Sequence, residues 1–248
     1  MQNLNYGVIG NCSTAALISE KGAIEWLCFP EFDSPSVFAA ILDRQKGGHF
    51  GFKVTSDYKV TQSYVPHTNI LSTHFESEEG AFDVVDFMPC YPTSDGKDFY
   101  RPAEIYRYIR WAKGRPRMKV DYRPAPNYAR GKTIYNVTSQ YVETYSSVEN
   151  KDRQYLYSSL DLKKVVNHDE ITLEKDEFFL FSFNEKVIPV DIEREKLEYC
   201  RTLVYWLNWT DHAKRYTRYN EVIERSMLVL KLMTYRNGAV MAAVTTSL

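Results

Sequence analysis

TAALISEKGAIEWLCF, residues 14–29, holds two short apolar runs on either side of Glu20, Lys21 and Gly22. Runs of this length, rich in Ile, Leu and aromatic residues and split by a glycine-bearing turn, predict a β-hairpin. The same grammar recurs downstream. HFGFKV (49–54) sets Phe50, Phe52 and Val54 on one face at the period of a strand, and YKVTQSYV (58–65) follows it. NILSTHFESEEGAFDVVDFMP (69–89) predicts a second hairpin closed at Gly80. AEIYRYIRWAKGRPRMKVDYRP (103–124) predicts a third, with Gly114 and Pro116 in its turn. Further strands are expected at 133–146, 153–160, 170–174 and 177–184. In the last of these Phe178, Phe179, Leu180, Phe181 and Phe183 are apolar on both faces, as in a strand covered from both sides. One segment departs from the pattern. Asp33 or Ser34 could cap a short helix over Val37 to Leu42, ended by Gly47-Gly48. Repeated strands without helices between them predict a mainly β fold, an antiparallel β-sandwich over residues 1–190.

Near Asp191 the period changes. DIEREKLEYCRTLVYWLNWTDHAKRY (191–216) spaces Leu197, Cys200, Val204 and Leu207 by three or four residues, the stripe of an amphipathic helix. Trp206 and Trp209 share a face and are expected to pack between this helix and the sandwich. We read 191–219 as a helical linker. A second helix is expected from an Asn220 N-cap to about Tyr235, stopping at Asn237-Gly238. It carries Val222, Ile223, Met227, Leu228, Val229, Leu230, Leu232 and Met233, so apolar residues cover most of its circumference. Such a surface must meet the sandwich, a second copy or another domain. Deleting it from Asn220 onward should improve solubility if the helix is orphaned, and cause aggregation if it belongs to the sandwich core.

The totals bound the function. The 248 residues carry 31 Lys plus Arg against 32 Asp plus Glu, so neither a nucleic-acid backbone nor an anionic membrane would attract the chain as a whole. The start has no basic and apolar leader pattern, and no stretch is long enough to span a bilayer. A cytoplasmic protein with reduced thiols is expected, although Cys12 and Cys28 could share a hairpin closely enough to bridge. No CxxC, HxH or HxxxH grouping suggests a metal, and no glycine-rich phosphate loop or GxSxG suggests a cofactor or a serine nucleophile.

Four blocks carry a resemblance: IGNCSTAALISEKGAIEWLCFPEFDSPSVFAAILDRQKGGHF (9–50), DFMP (86–89), YWLNW (205–209) and ERSMLVLKLMTYRNGAVMAAVTTSL (224–248). In order along the chain, they resemble the opening of the prokaryotic glucoamylase and trehalase-like proteins of glycoside hydrolase family fifteen. The middle of the chain, 127–195, matches only in its strand-rich character. The resemblance implies a β-sandwich and linker leading into a catalytic barrel of six α-helical hairpins, of which 220–248 would be the start. It implies hydrolysis of α-glucosides, glucans or trehalose, with inversion. That chemistry needs one protonated and one ionised carboxyl group about 6.5–9.5 Å apart. By the same resemblance both lie beyond Leu248. Thr245 and Thr246 would enter the floor of the sugar pocket, and the catalytic barrel would be this chain's partner.

Within the chain itself, Asp83 and Asp86 are three apart on a strand, point to opposite faces and cannot flank one bond. Asp86 reads as a strand-end residue bonded to backbone donors. Glu25, Glu31 and Asp33 stand near Trp26, which could stack on a sugar at a pocket rim or sit in the core. The expectation is a non-catalytic N-terminal part that braces a barrel. A free-standing carbohydrate-binding module using Trp111 and clustered tyrosines is the second reading, and a self-associating assembly module the third.

Overall fold

A computed structural model of the chain describes residues 5–55, 57–149, 151–188 and 190–244. In chain order the strands are β1 (Tyr6–Gly10), β2 (Ala15–Ser19), β3 (Ile24–Cys28), β4 (Ser36–Phe38), β5 (His49–Lys53), β6 (Lys59–Tyr64), β7 (Leu71–Ser77) and β8 (Gly80–Phe87). There follow β9 (Tyr91–Pro92), β10 (Phe99–Tyr100), β11 (Glu104–Gly114), β12 (Arg117–Arg123), β13 (Thr133–Val137), β14 (Val142–Ser146) and β15 (Gln154–Ser158). A short helix α1 (Leu162–Asn167) precedes β16 (Glu170–Thr172) and β17 (Glu177–Phe183), and α2 (Ile192–Asp211) and α3 (Asn220–Leu232) complete the order.

Two antiparallel sheets face each other. One runs β1-β2-β3-β5-β12-β16 with β4 beside β3; the other runs β13-β14-β15-β17-β11-β8-β7-β6. Strand alternation divides the second sheet cleanly. Phe179 and Phe181 of β17, Ile105 and Ile109 of β11, and Phe82 and Val84 of β8 point inward to the main core with Phe38, Phe50 and Tyr122. Their neighbours Phe178, Leu180, Tyr106, Tyr108, Val85 and Phe87 point outward. A second core forms there, closed by Trp206 of α2 and by Leu228, Leu232 and Met233 at the end of α3. This is why β17 reads as apolar on both faces. The β-sandwich expected from the sequence is the fold, with a helical layer over one sheet. Among the described residues no helix is long and apolar enough to cross a membrane.

One inner pair bolts the sheets together. Arg107 and Asp86 stand directly opposite in β11 and β8, both with no exposure. Arg107 Nε donates to Asp86 Oδ1 at 2.7 Å, while its other nitrogens donate across the core to Phe50 O at 2.6 Å and to Gly22 O. Asp86 therefore anchors a guanidinium within the sheet; the strand-end role bonded to backbone donors is corrected.

Three local expectations also change. Residues 103–124 form no hairpin: β8 and β17 already flank β11, leaving no free edge, so the chain turns at Gly114 (φ 69°) and β12 joins the opposite sheet beside β5. Residues 36–38 pair with β3 instead of starting a helix, because Phe38 enters the core between Phe50, Tyr122 and Phe181. Asn220 begins α3 without capping it; its side chain accepts from Tyr216 N at 3.0 Å.

Candidate functional site

The phase of α2 decides what the helical layer can do. Its sheet-facing residues are Glu195, Glu198, Thr202, Trp206 and Thr210, spaced by three or four. The apolar stripe read from the sequence lies on the other side: Leu197 is 48% exposed, Val204 63% and Leu207 39%, with Cys200 exposed beside them. The reading inverted because the sheet offers partners to the polar face. Tyr91 Oη donates to Glu198 at 2.7 Å, and Arg194 Nε donates to Tyr106 Oη at 3.1 Å. Trp206 supplies the apolar anchor, seated against Tyr205 and Trp209. The acids and threonines in phase with Trp206 were the signal that hydrophobicity alone concealed.

A groove of about 1370 Å³ runs between α2, the β9–β10 hairpin and α3. Tyr91, Phe99, Val204, Tyr205, Trp209 and Met227 make its walls, and Arg194, Arg201, Lys214 and Lys231 its basic rim. Glu198 is the carboxylate on its wall, held by Tyr91 and by Arg201 at 3.4 Å. The groove's walls are largely apolar, and among the described residues that line it Glu198 is the one carboxylate. Among the described residues no group of three or more His, Cys, Asp or Glu could hold a metal.

Helix α3 docks at the end of the sandwich. Asn69 Nδ2 donates to Leu228 O at 3.0 Å, and Arg225 donates to Thr68 O at 2.8 Å while stacking 3.9 Å over the Tyr64 ring. Leu232 fits against Gly10, where a Cβ would stand 2.9 Å from it. Its own outward residues stay uncovered, Val222 at 66% and Leu230 at 56% exposure. The helix is thus enclosed on one side only. Beyond it the chain turns at Asn237-Gly238 (φ 86° at Gly238) and doubles back, with Thr234 bridged to Val240.

The candidates of the sequence stand as follows. Trp26 is fully buried, and its indole N–H donates to Val244 O at 2.8 Å, so no ring face is open to a sugar. Thr245 and Thr246 lie outside the described residues. Glu31 accepts from Tyr235 Oη, Glu25 accepts from Tyr6 Oη at 2.5 Å, and Asp33 is exposed. The tail and β3 are therefore brought together, but no two of these acids are paired. Asp83 binds His74 at 2.8 Å on the outer side of β8, opposite in direction to Asp86.

Under α2 lies an acid that sequence reasoning missed. Glu195 is 1% exposed, and neither carboxyl oxygen has a hydrogen-bond partner. Burial first, then the Asp86 and Glu198 charges, push its carboxyl well above the ordinary range; Glu104 adds to this and Arg194 opposes it. The folded chain holds this proton more tightly than the unfolded chain does. Stability therefore falls as pH rises from the unfolded value, about 4.3, through the folded one. Glu195→Gln is expected to raise the unfolding free energy by about 1–3 kcal/mol in mildly alkaline solution and by almost nothing near pH 4. Urea unfolding at the two pH values checks this, and an equal gain at both would exclude the carboxyl as the cause.

Comparison with known proteins finds relatives along most of the chain. A family model described as "Trehalase-like, N-terminal" matches residues 5–150. The chain is 30% identical over 242 residues to a trehalase of Thermoplasma acidophilum, covering 94% of this chain and 40% of that one. It is 28% identical over 264 residues to a trehalase of Thermoplasma volcanium, covering 98% and 39%. Over 85 residues it is 51% identical to trehalase 1 of Sulfolobus acidocaldarius, covering 34% of this chain. The chain thus spans about two fifths of the length of the curated relatives it matches. With a matching model over more than half its residues, the chain belongs to the trehalase-like N-terminal family.

Proposed function

We propose that this chain is the non-catalytic N-terminal part of an inverting glycoside hydrolase of family fifteen. The whole protein would cleave trehalose or a related α-glucoside in the cytoplasm, and none of the four cysteines is in a disulfide. Its work is to brace the catalytic barrel. The observation that carries this reading is the apolar stripe of Leu197, Val204 and Leu207, left open on the side of α2 that faces away from the sheet. A helix already anchored on the sandwich by Trp206 and its polar neighbours, with a further apolar stripe on its outer side, has a second neighbour to satisfy. The relatives named trehalase, more than twice as long, supply the class of activity. The segment from Asn220 begins the barrel, Thr245 and Thr246 lead into its sugar pocket, and Trp26 serves that pocket indirectly by holding the tail through Val244.

The purified chain is accordingly expected to release no glucose from trehalose or maltotriose, and to give no saturable heat with maltoheptaose by calorimetry. Glucose release abolished by substituting one of the chain's own acids would overturn the reading. Saturable glucan binding would move it to a carbohydrate-binding module, and concentration-dependent dimers in light scattering would give the open stripe to a second copy.

A further inference from the structure

On the outer face of the first sheet, on the side of the sandwich opposite to α2, the strand register assembles a row of charge that bracing does not use. Phe50, Phe52, Val120 and Tyr122 point into the core, so His49, Gly51 and Lys53 of β5 point outward beside Lys119, Asp121 and Arg123 of β12. Asp121 pairs with Gly51, where no side chain blocks it, and reaches the residues on either side. His49 Nε2 lies 2.8 Å from it, Lys53 Nζ lies 2.7 Å from it, and Arg123 Nε donates to it at 2.7 Å. Among the described residues neither Nη of Arg123 is hydrogen-bonded. Between this end of the sheet and the 39–48 loop opens a recess of about 550 Å³. Arg44, Lys46, His49 and Arg123 line it, and none of its described lining residues is acidic. Gly48 (φ 73°) joins loop to strand; a Cβ there would stand 2.5 Å from Arg123 O. The far wall includes Ala129, the last of three successive residues, with Asn127 and Tyr128, in left-handed backbone (φ 55°, 56° and 55°). Such a run is strained for residues with side chains. It is held by bonds from Tyr128 N to Ser36 O at 3.3 Å and from Ala129 N to Ala125 O at 3.1 Å. The recess is therefore shaped in advance.

We propose that this recess binds a small phosphomonoester of the size of a sugar phosphate. Its charge is suited to one. Arg44, Lys46, Lys53 and Arg123 stand with two acids: Asp121, and Asp43, which accepts from Gln45 N and Lys46 N at 2.8 and 3.0 Å. Four cations against two carboxylates leave two positive charges, and a phosphomonoester carries about 1.5–2 negative ones at pH 7. The donors are suited as well. The Nη edge of Arg123 and the guanidinium of Arg44 are planar forks that match pairs of phosphate oxygens, and Lys46 adds a point charge. A bare ion would leave most of the volume empty. The rest of the lining is neutral, with Pro124, Ala125 and Ala129 as small apolar wall and Gln45 and Thr133 to meet hydroxyl groups. Thr133 Oγ1 donates to Pro124 O at 2.6 Å, which leaves its lone pairs to accept from a ligand.

The test titrates the full chain at low salt with glucose 6-phosphate by calorimetry, with glucose and inorganic phosphate as separate arms. Saturable heat is expected with the ester, none with glucose, and binding about tenfold weaker with the bare ion. Arg44→Gln/Lys46→Gln changes two exposed side chains of the loop, so its urea midpoint should match that of the parent chain while its Kd for the ester rises about tenfold or more. Backbone amide shifts on adding the ester should concentrate in 44–49 and 123–133. No saturable heat with the ester, glucose or inorganic phosphate bound as tightly, an unchanged Kd in the variant, or amide shifts centred elsewhere would each overturn the proposal.

Discussion

Arg107→Met is expected to lower the unfolding free energy by about 3–5 kcal/mol, because it strands a buried charge. Arg107 and Asp86 are both at 0% exposure, and among the described residues the guanidinium is the only cation hydrogen-bonded to that carboxylate, through contacts of 2.7 and 3.2 Å. Methionine has the length to fill the space but cannot donate to Phe50 O or Gly22 O, so two acceptors of the facing sheet lose their partner as well. It also loses the cation's seat 4.7 Å from the Phe50 and Phe52 rings. If the stranded carboxylate dominates, Arg107→Met/Asp86→Leu should recover most of the loss, since an ion pair exchanged for apolar groups of similar size is often neutral. Urea unfolding of the three variants forms the cycle. A double variant as unstable as the sum of the singles would show that the bonds to Phe50 and Gly22, more than the charge, bind the two sheets.

The same pair shows where the sequence stops being informative. Short strands, turns at Gly22 and Gly80, and a doubly covered β17 are local patterns, and they were legible because alternation and glycine placement act over a few residues. Which strand pairs with which is not local. Residues 103–124 look like a hairpin, and only the occupation of both edges of β11 by β8 and β17 sends β12 to the other sheet. Arg107 lies among alternating apolar residues with no sign of its partner 21 positions earlier. For α2, periodicity found a helix and chose the wrong face, because hydrophobicity ranks Leu197 and Val204 above Glu195 and Thr202 without knowing that Tyr91 awaits Glu198. That error is itself informative. The helix packs on the sandwich through Trp206 with acids and threonines beside it, and leaves Leu197, Val204 and Leu207 exposed on the other side. The long-range contact of Cys12 with Lys231 O was invisible for the same reason: the two are far apart in sequence.

Ending the chain after Tyr219 is expected to have the largest effect on behaviour in solution, and its direction follows from how α3 is divided between two surroundings. Val222 and Leu230 are open and contribute nothing to holding this chain together, so their removal alone would favour solubility. Leu228, Leu232 and Met233 are buried against the second core. At about 1.5–3 kcal/mol for each buried side chain, their loss amounts to ~5–9 kcal/mol as an upper estimate, comparable with the whole stability of an ordinary domain. The deletion would also leave the acceptor and donor groups of Thr68 and Asn69 without Arg225 and Leu228. The shortened chain should therefore unfold at lower urea concentration and aggregate, while a Val222→Lys/Leu230→Lys variant of the full chain stays folded and becomes more soluble. Light scattering and urea unfolding on both proteins separate the two faces. A compact, monomeric and fully stable product of the deletion would mean that α3 rests on the sandwich without sustaining it, and belongs wholly to the part of the molecule that follows.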